Sequence, residues 1–382
     1  MKISILTQPL HTNYGGLLQA YALQKILSEM GHEVWIMRFT ERDDFRTGPF
    51  KKLKLKEGIK HYIYKMFGTP KFFIPDSEQK QIIHQHTDKF VEERIRPKSE
   101  KIFSSSSLRR ICKRANFDAY VVGSDQVWRI DYSPCIDHFF LDFVKNSGVK
   151  RIAYAASFGV DSWNFSPQKT KKCANLARFF DAVSVREDSG VFLCKEYLGV
   201  DACHVLDPTM LLEQRNYEQL VDEDNVKKSP GNLFCYMLDK SDRMTEAVQK
   251  VASLTKLKPF GIMPELKLSK EVIETKIDSC IFPPVTAWLR SFIDAEFVLT
   301  DSFHGCVFSI IFNKPFIVFG NKTRGQARFN SLLKMFELQS RFCSDNACLT
   351  YIVNQSIEWE RVNAIYQSNK KKSLDFLRTS LS

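Results

Sequence analysis

His304 stands out by its setting. It lies in Thr300-Asp301-Ser302-Phe303-His304-Gly305, after an apolar run (297–299) that reads as a strand and before a helical stretch (306–312). A strand end and a helix N-terminus both favour an anion there. An imidazole at that point either moves a proton near neutral pH or simply caps the helix. Asp125 follows the apolar run 120–122 through Gly123 and Ser124, where a carboxylate serves as a base or as a helix N-cap. Arg186 closes the strand-like Ala182–Val185, and its guanidinium either grips an anionic ligand or pairs with Glu187 or Asp188. Asn13, Gly15 and Gly16 occupy a turn that lets backbone approach a ligand, but the pair of glycines is no dinucleotide fingerprint. Cys306 reads as core packing despite its nearness to His304. Trp128, Trp163 and Trp288 either stack on a ligand ring or are buried.

Those residues need a frame, and the pattern around them supplies one. Apolar bursts alternate with helical stretches along the whole chain, the α/β signature. Residues 2–7 read as a strand, 17–30 as an amphipathic helix stopping at Gly31, and 33–39 as the next strand, which completes a βαβ unit. Further strands are expected at Ala119–Val122, 151–155 and Ala182–Val185, then at 205–206, 233–237, 260–263, 297–299 and Phe316–Phe319. The spacing predicts two Rossmann-like α/β domains facing a cleft: 1–190, with a basic helical insertion at about 41–114, and 191–350. A C-terminal helix at 351–382 is expected to pack back across the cleft. In such sheets ligands sit beyond the carboxyl ends of the strands, where each candidate residue falls.

Composition bounds the rest. The chain has 382 residues, 44% apolar and 26% charged, and no apolar run long enough to span a membrane. Its opening residues, 1–8, lack the apolar segment of a secretory signal, which predicts a cytoplasmic protein. Ten scattered cysteines with no CxxC pair then read as reduced core thiols, and no metal site is expected. The net charge is +11, and residues 51–114 hold 17 Lys and Arg against 7 Asp and Glu, opening with Lys51, Lys52, Lys54 and Lys56. Without a nucleic-acid-binding module, that surplus reads as a solvated helical surface or as attraction to phosphates or an acidic membrane leaflet.

An ordered set of motifs adds a resemblance. Asn13-Tyr14-Gly15-Gly16-Leu17-Leu18-Gln19-Ala20 comes first, then Val122-Gly123-Ser124-Asp125-Gln126-Val127-Trp128 and Ala153-Tyr154-Ala155-Ala156-Ser157-Phe158-Gly159. Ser184-Val185-Arg186-Glu187, Leu206-Asp207-Pro208-Thr209 and the His304 motif follow. In this order they resemble the polysaccharide pyruvyl transferase family from residue 3 to about 340. The resemblance implies a fold like the B-type glycosyltransferases. It also implies transfer of the pyruvyl group of phosphoenolpyruvate to a sugar of a surface polysaccharide or its lipid-linked precursor, as a cyclic ketal. Phosphoenolpyruvate is then a co-substrate, and neither cofactor nor metal is required.

On this resemblance His304 is the catalytic histidine, with Asp125 and Arg324 as partners in catalysis. Arg186, Ser302, Gly305, Lys322 and Arg328 would meet the donor. Many family members carry Arg where this chain has Ser302, which removes one expected cation. Asn13, Tyr14, Gly15, Gly16 and Trp128 would meet the acceptor. A lipid-linked acceptor would bring the enzyme to the inner face of an anionic membrane. Two other functions fit the same outline: a nucleotide-sugar glycosyltransferase, and an inactive glycan- or phosphate-binding protein.

Overall fold

Short apolar runs, buried on both faces, make two all-parallel sheets. The computed structural model describes residues 1–41, 75–145, 148–239, 241–266, 268–320 and 325–382. The first sheet comprises β1 (Lys2–Leu6), β2 (Glu33–Met37), β3 (Ala119–Val122), β4 (Lys150–Ala156), β5 (Ala182–Val185) and β6 (Cys203–His204), in the order β2-β1-β3-β4-β5-β6. The second comprises β7 (Leu233–Tyr236), β8 (Pro259–Phe260), β9 (Phe297–Thr300), β10 (Phe316–Phe319) and β11 (Phe342–Cys343), in the order β11-β10-β9-β7-β8. The helices that matter below are α1 (Tyr14–Glu29), α2 (Ser77–Arg94), α3 (Ser105–Ala115), α4 (Asp242–Thr255), α5 (Phe303–Ile311), α6 (Ala327–Met335), α7 (Leu349–Val353) and α8 (Trp359–Leu381). No described helix is long and apolar enough to cross a membrane.

Strand order fixes where a ligand can enter. In the first sheet the chain steps from β1 outward to β2, then returns to the other side of β1 as β3. In the second it steps from β7 to β8 and returns beside β7 as β9. Each reversal leaves a crevice between diverging loops at the carboxyl ends of the strands. The loops after β1 and β3 carry Asn13 and Asp125, and the loops after β7 and β9 carry Leu238 and Asp301. All four residues line one cleft, so the two reversal points face each other.

The domains share a core. One buried cluster joins Leu17, Leu18 and Tyr154 of the first domain to Trp288, Phe303 and Phe308 of the second. Tyr14 stacks on Trp288 with ring centroids 5.7 Å apart and donates its hydroxyl to Pro283 O at 2.9 Å. Such an aromatic pair contributes about 0.5–1.5 kcal/mol beyond the area that it buries. Helix α2 fastens the domains further: Phe282 N donates to Ile83 O, and Arg94 pairs with Glu223 and Asp224. Helix α8 runs from the second domain, where Tyr366 meets Phe336, to the first, where Ser373 Oγ accepts Leu206 N at 3.0 Å.

One expectation changes, and another falls partly outside the described residues. The division expected at 190/191 falls one strand early, because β6 pairs in parallel with β5 (Ser184↔Cys203, Val185↔His204) and belongs to the first sheet. The chain therefore changes domain between β6 and β7. Of the basic insertion, residues 42–74 lie outside the described residues, Lys51, Lys52, Lys54 and Lys56 among them. Its described part is α2, two parallel bridges extending the sheet edge (Ile36↔Lys98, Phe39↔Ile102), and α3.

Candidate active site

Helix α5 begins at the cleft because Ser302 caps it: Ser302 Oγ accepts Gly305 N at 3.4 Å, and the cap backbone is extended. Gly305 permits close packing, since a Cβ there would lie 2.1 Å from Thr300 Oγ1 on β9. That packing fixes His304 in the first turn, and the helix N-terminus adds partial positive charge beside it. His304 crosses to the first domain. A Cβ on Gly15 would stand 2.0 Å from His304 Nδ1, so only glycine in α1 admits the imidazole. The other ring nitrogen, Nε2, lies 3.6 Å from Asp207 Oδ2, just beyond hydrogen-bond reach.

Asp207 is the hub of the buried charges. Its Oδ1 accepts Thr209 N (3.0 Å) and Thr209 Oγ1 (2.7 Å). Its Oδ2 accepts Arg186 Nη1 (2.6 Å) and Ser124 Oγ (3.0 Å). Burial alone would raise this carboxyl, but His304, Arg186 and Thr209 hold it well below the usual carboxylate range. Arg186 also donates through Nη2 to Asp125 Oδ1 at 3.3 Å and lies 4.4 Å from the centre of the Phe303 ring. Asp125 takes a left-handed backbone (φ 69°), which turns its carboxylate toward Arg186 and toward Asn13 Nδ2 at 3.4 Å. The neighbouring Glu187, fully buried, accepts Ser157 Oγ, Phe158 N and Gly159 N on one oxygen and so shapes the loop after β4.

The cleft above this network has a volume of about 440 Å³. His11, Asn13, Asp125, Gln126 and Tyr132 line it from the first domain, and Tyr236, Asp301, Ser302, His304 and Arg328 from the second. Arg328 comes from the first turn of α6, 5.6 Å from the Phe303 ring centre. Burial, then the charge of Arg186, lowers its guanidinium to about 10, which leaves it charged at neutral pH. Asp301 holds the facing loop by accepting Leu238 N (2.7 Å) and Asp239 N (2.9 Å). The cleft thus offers an imidazole, a guanidinium and a carboxylate around one space. That set can transfer protons and neutralise an anion.

The structure gathers His304, Asp125, Asn13, Ser302 and Arg328 at the cleft and gives other expected residues different work. Arg186 does not line the cleft. Its side chain is 1% exposed and held by Asp207 and Asp125, not by Glu187 or Asp188. Tyr14 packs between the domains, Gly15 makes room for His304, and Gly16 N is the donor in the Asn13 cap of α1. Gly305 is buried against Thr300 rather than open to a donor. Trp128 is 1% exposed, with its ring stacked on Phe140 and its N–H given to Phe139 O, so no sugar reaches it. Tyr132, 43% exposed and 4.2 Å from Arg129, is the aromatic at the rim. Lys322 and Arg324 lie outside the described residues.

Asp207, Ser124 and Glu187 stand in the quoted motifs, but the sequence reading gave them no role in the site. The available signal was a carboxylate placed just after β5 or β6, since each strand end in such sheets points at the ligand crevice. A second constellation looks catalytic and lies apart from the cleft. His138 Nδ1 meets Asp142 Oδ1 at 2.6 Å, and Nε2 meets Ser105 Oγ at 2.8 Å. Burial would lower that imidazole, yet Asp142 and Cys135 push it up to about 9. Protonated at neutral pH, it cannot take the hydroxyl proton of Ser105 and instead pins the start of α3. Among the described residues, no group of three or more His, Cys, Asp or Glu is placed to hold a metal ion.

Two parallel α/β domains enclosing a cleft lined by a histidine, an arginine and a carboxylate define the class of protein. The chain belongs to the polysaccharide pyruvyl transferase family, whose sequence model matches residues 13–323. No curated protein matches the sequence. Solved structures of similar outline include a glycosyltransferase from Rickettsia africae (10% identity, covering 100% of this chain and 97% of that one, TM-score 0.46). Others are MurG from Acinetobacter baumannii (11%, 99% and 99%, 0.45) and Staphylococcus aureus MnaA with UDP (13%, 97% and 91%, 0.49).

Proposed function

We propose that the protein transfers the pyruvyl group of phosphoenolpyruvate to two hydroxyls of one sugar, forming a cyclic ketal and releasing phosphate. The observation that carries this reading is His304, wedged against Gly15 and facing a cleft that also presents Arg328 and Asp125. Family membership supports transfer to a polysaccharide. The donor is a small polyanion, and Arg328 with the N-terminus of α5 suits its carboxylate or phosphate.

The reaction balances without redox chemistry. A proton from His304 adds to the methylene carbon of the donor, leaving a cation on the carbon that bears phosphate. A sugar hydroxyl adds there and loses its proton to a base, the role this reading gives to Asp125 of the cleft wall. Phosphate then departs with its bonding pair, and a second hydroxyl adds to the same carbon and closes the ketal, its proton returning to His304. Helix dipole and guanidinium stabilise the departing charge.

Phosphate release from phosphoenolpyruvate should require a glycan, and mass spectrometry should find the acceptor heavier by pyruvate less one water. A hexose moved from a nucleotide-sugar, with no pyruvylation across a broad panel of free and lipid-linked acceptors, overturns the reading in favour of a glycosyltransferase. Glycan binding with neither reaction overturns it in favour of an inactive binding protein.

A further inference from the structure

Away from the cleft, at the edge of the second sheet, two thiols meet. Cys343 ends β11, in register with Phe319 of β10, and Cys348 stands just before α7. Their sulfurs are 2.9 Å apart, closer than two unbonded sulfurs ordinarily approach, and both lie against Asp345 O, at 2.8 and 2.9 Å. The Cys-x4-Cys spacing is not one that a CxxC search finds. The turn is braced from outside: Arg243 of α4 donates to Ser344 O (2.5 Å), Lys250 to Asn346 O (3.0 Å), and Asn346 Nδ2 to Arg243 O (3.0 Å). Inside the turn, Asp345 Oδ1 accepts Ala347 N at 2.8 Å. Six contacts thus hold the turn that brings the two sulfurs together.

We propose that Cys343 and Cys348 are a dithiol–disulfide couple, a modification site for low-molecular-weight disulfides such as oxidised glutathione. The two thiols differ in access: Cys343 is fully buried and Cys348 half-buried. Cys348, the more accessible sulfur, therefore attacks first, and burial with the adjacent Cys348 pushes the Cys343 thiol up to about 12. Cys348 attacks one sulfur of the oxidant, the oxidant's S–S bond breaks, and one glutathione leaves as thiol. Cys343 then gives up its proton and attacks Cys348 Sγ, expelling the second glutathione. Two protein thiols are oxidised and one oxidant disulfide is reduced.

Next to the pair, the Phe342 ring of β11 covers Gly320, where a Cβ would lie 2.4 Å from its edge. The cysteine couple is independent of pyruvyl transfer.

The test is a peptide map of the native full-length protein after exposure to oxidised glutathione. The expected product is a disulfide within the tryptic peptide that holds both Cys343 and Cys348, its mass lower by two hydrogens and restored by dithiothreitol. Cys343→Ser should stop at a glutathione adduct on Cys348, and Cys348→Ser should leave Cys343 unmodified. A folded wild-type protein whose Cys343 and Cys348 both remain alkylatable, or a link from either to another cysteine, overturns the proposal.

Discussion

His304 Nδ1 occupies the space that a Cβ on Gly15 would fill, at 2.0 Å. The contact joins the first turn of α1 in one sheet's domain to the first turn of α5 in the other's. It explains why glycine stands in a helix, where it ordinarily costs about 0.5–1 kcal/mol relative to alanine. The helix gives up that stability so that a side chain from the opposite domain can lie against its backbone.

Gly15→Ala should therefore act on His304 rather than on α1. The added methyl improves helix propensity but displaces the imidazole. Phosphate release should fall at least about 100-fold, the usual effect of losing a general acid or base. His304→Ala should fall as far, and the double variant should lose no more than either alone, because both remove one function. An active Gly15→Ala enzyme, or losses that multiply in the double variant, would show that the contact does not govern the histidine.

The acid limb of stability should belong largely to Asp207. Its folded-state pKa lies below that of the unfolded chain, so the stability it contributes is present above about pH 4 and declines as the pH falls further. Asp207→Asn should be less stable at pH 7 and should show a shallower loss between about pH 4 and pH 2. Urea denaturation across that range reads the slope. An unchanged slope would mean that other carboxylates carry it.

The strand series was legible because buried parallel strands are continuous apolar runs, and the loops after them held most of the site. His304 and Asp125 were found that way. What stayed hidden depends on pairing across distance. Arg186 meets Asp207 and Asp125, 21 and 61 residues away, and no local pattern distinguishes a guanidinium bound to carboxylates from one awaiting a ligand. Trp128 failed for the opposite reason: an aromatic after a strand looks the same whether its ring meets solvent or, as here, Phe140 and Phe158. The two-residue β6 was expected two residues late, at 205–206, and in the second series. Nothing local tells which sheet so short a strand joins, and that moved the domain division.

The basic segment gives a prediction independent of the cleft. A surplus of +10 over 51–114 can hold the protein on an anionic surface through many contacts, each worth about 1 kcal/mol near the bilayer. Sedimentation with anionic liposomes is expected at low salt, with release as salt shortens the screening length. Changing Lys51, Lys52, Lys54 and Lys56 to Glu should abolish it. Binding that survives both salt and charge reversal, or never occurs, would assign these charges to solubility alone.

Arg186 and Arg328 flank the same phenyl ring, at 4.4 and 5.6 Å, yet should fail in different ways when replaced. Arg186 is the countercharge of two buried carboxylates, so Arg186→Met strands them; breaking a buried pair from one side costs about 3–5 kcal/mol. Its melting temperature should drop sharply. Arg328 lines the cleft and carries charge toward it, so Arg328→Met should stay folded and bind phosphoenolpyruvate about ten- to hundredfold more weakly, the range for losing a hydrogen bond to a charged group. Thermal denaturation and donor titration on both variants separate the roles. A stable Arg186→Met with weakened donor binding, beside an Arg328→Met with normal binding, would reverse the assignment and return the donor to Arg186.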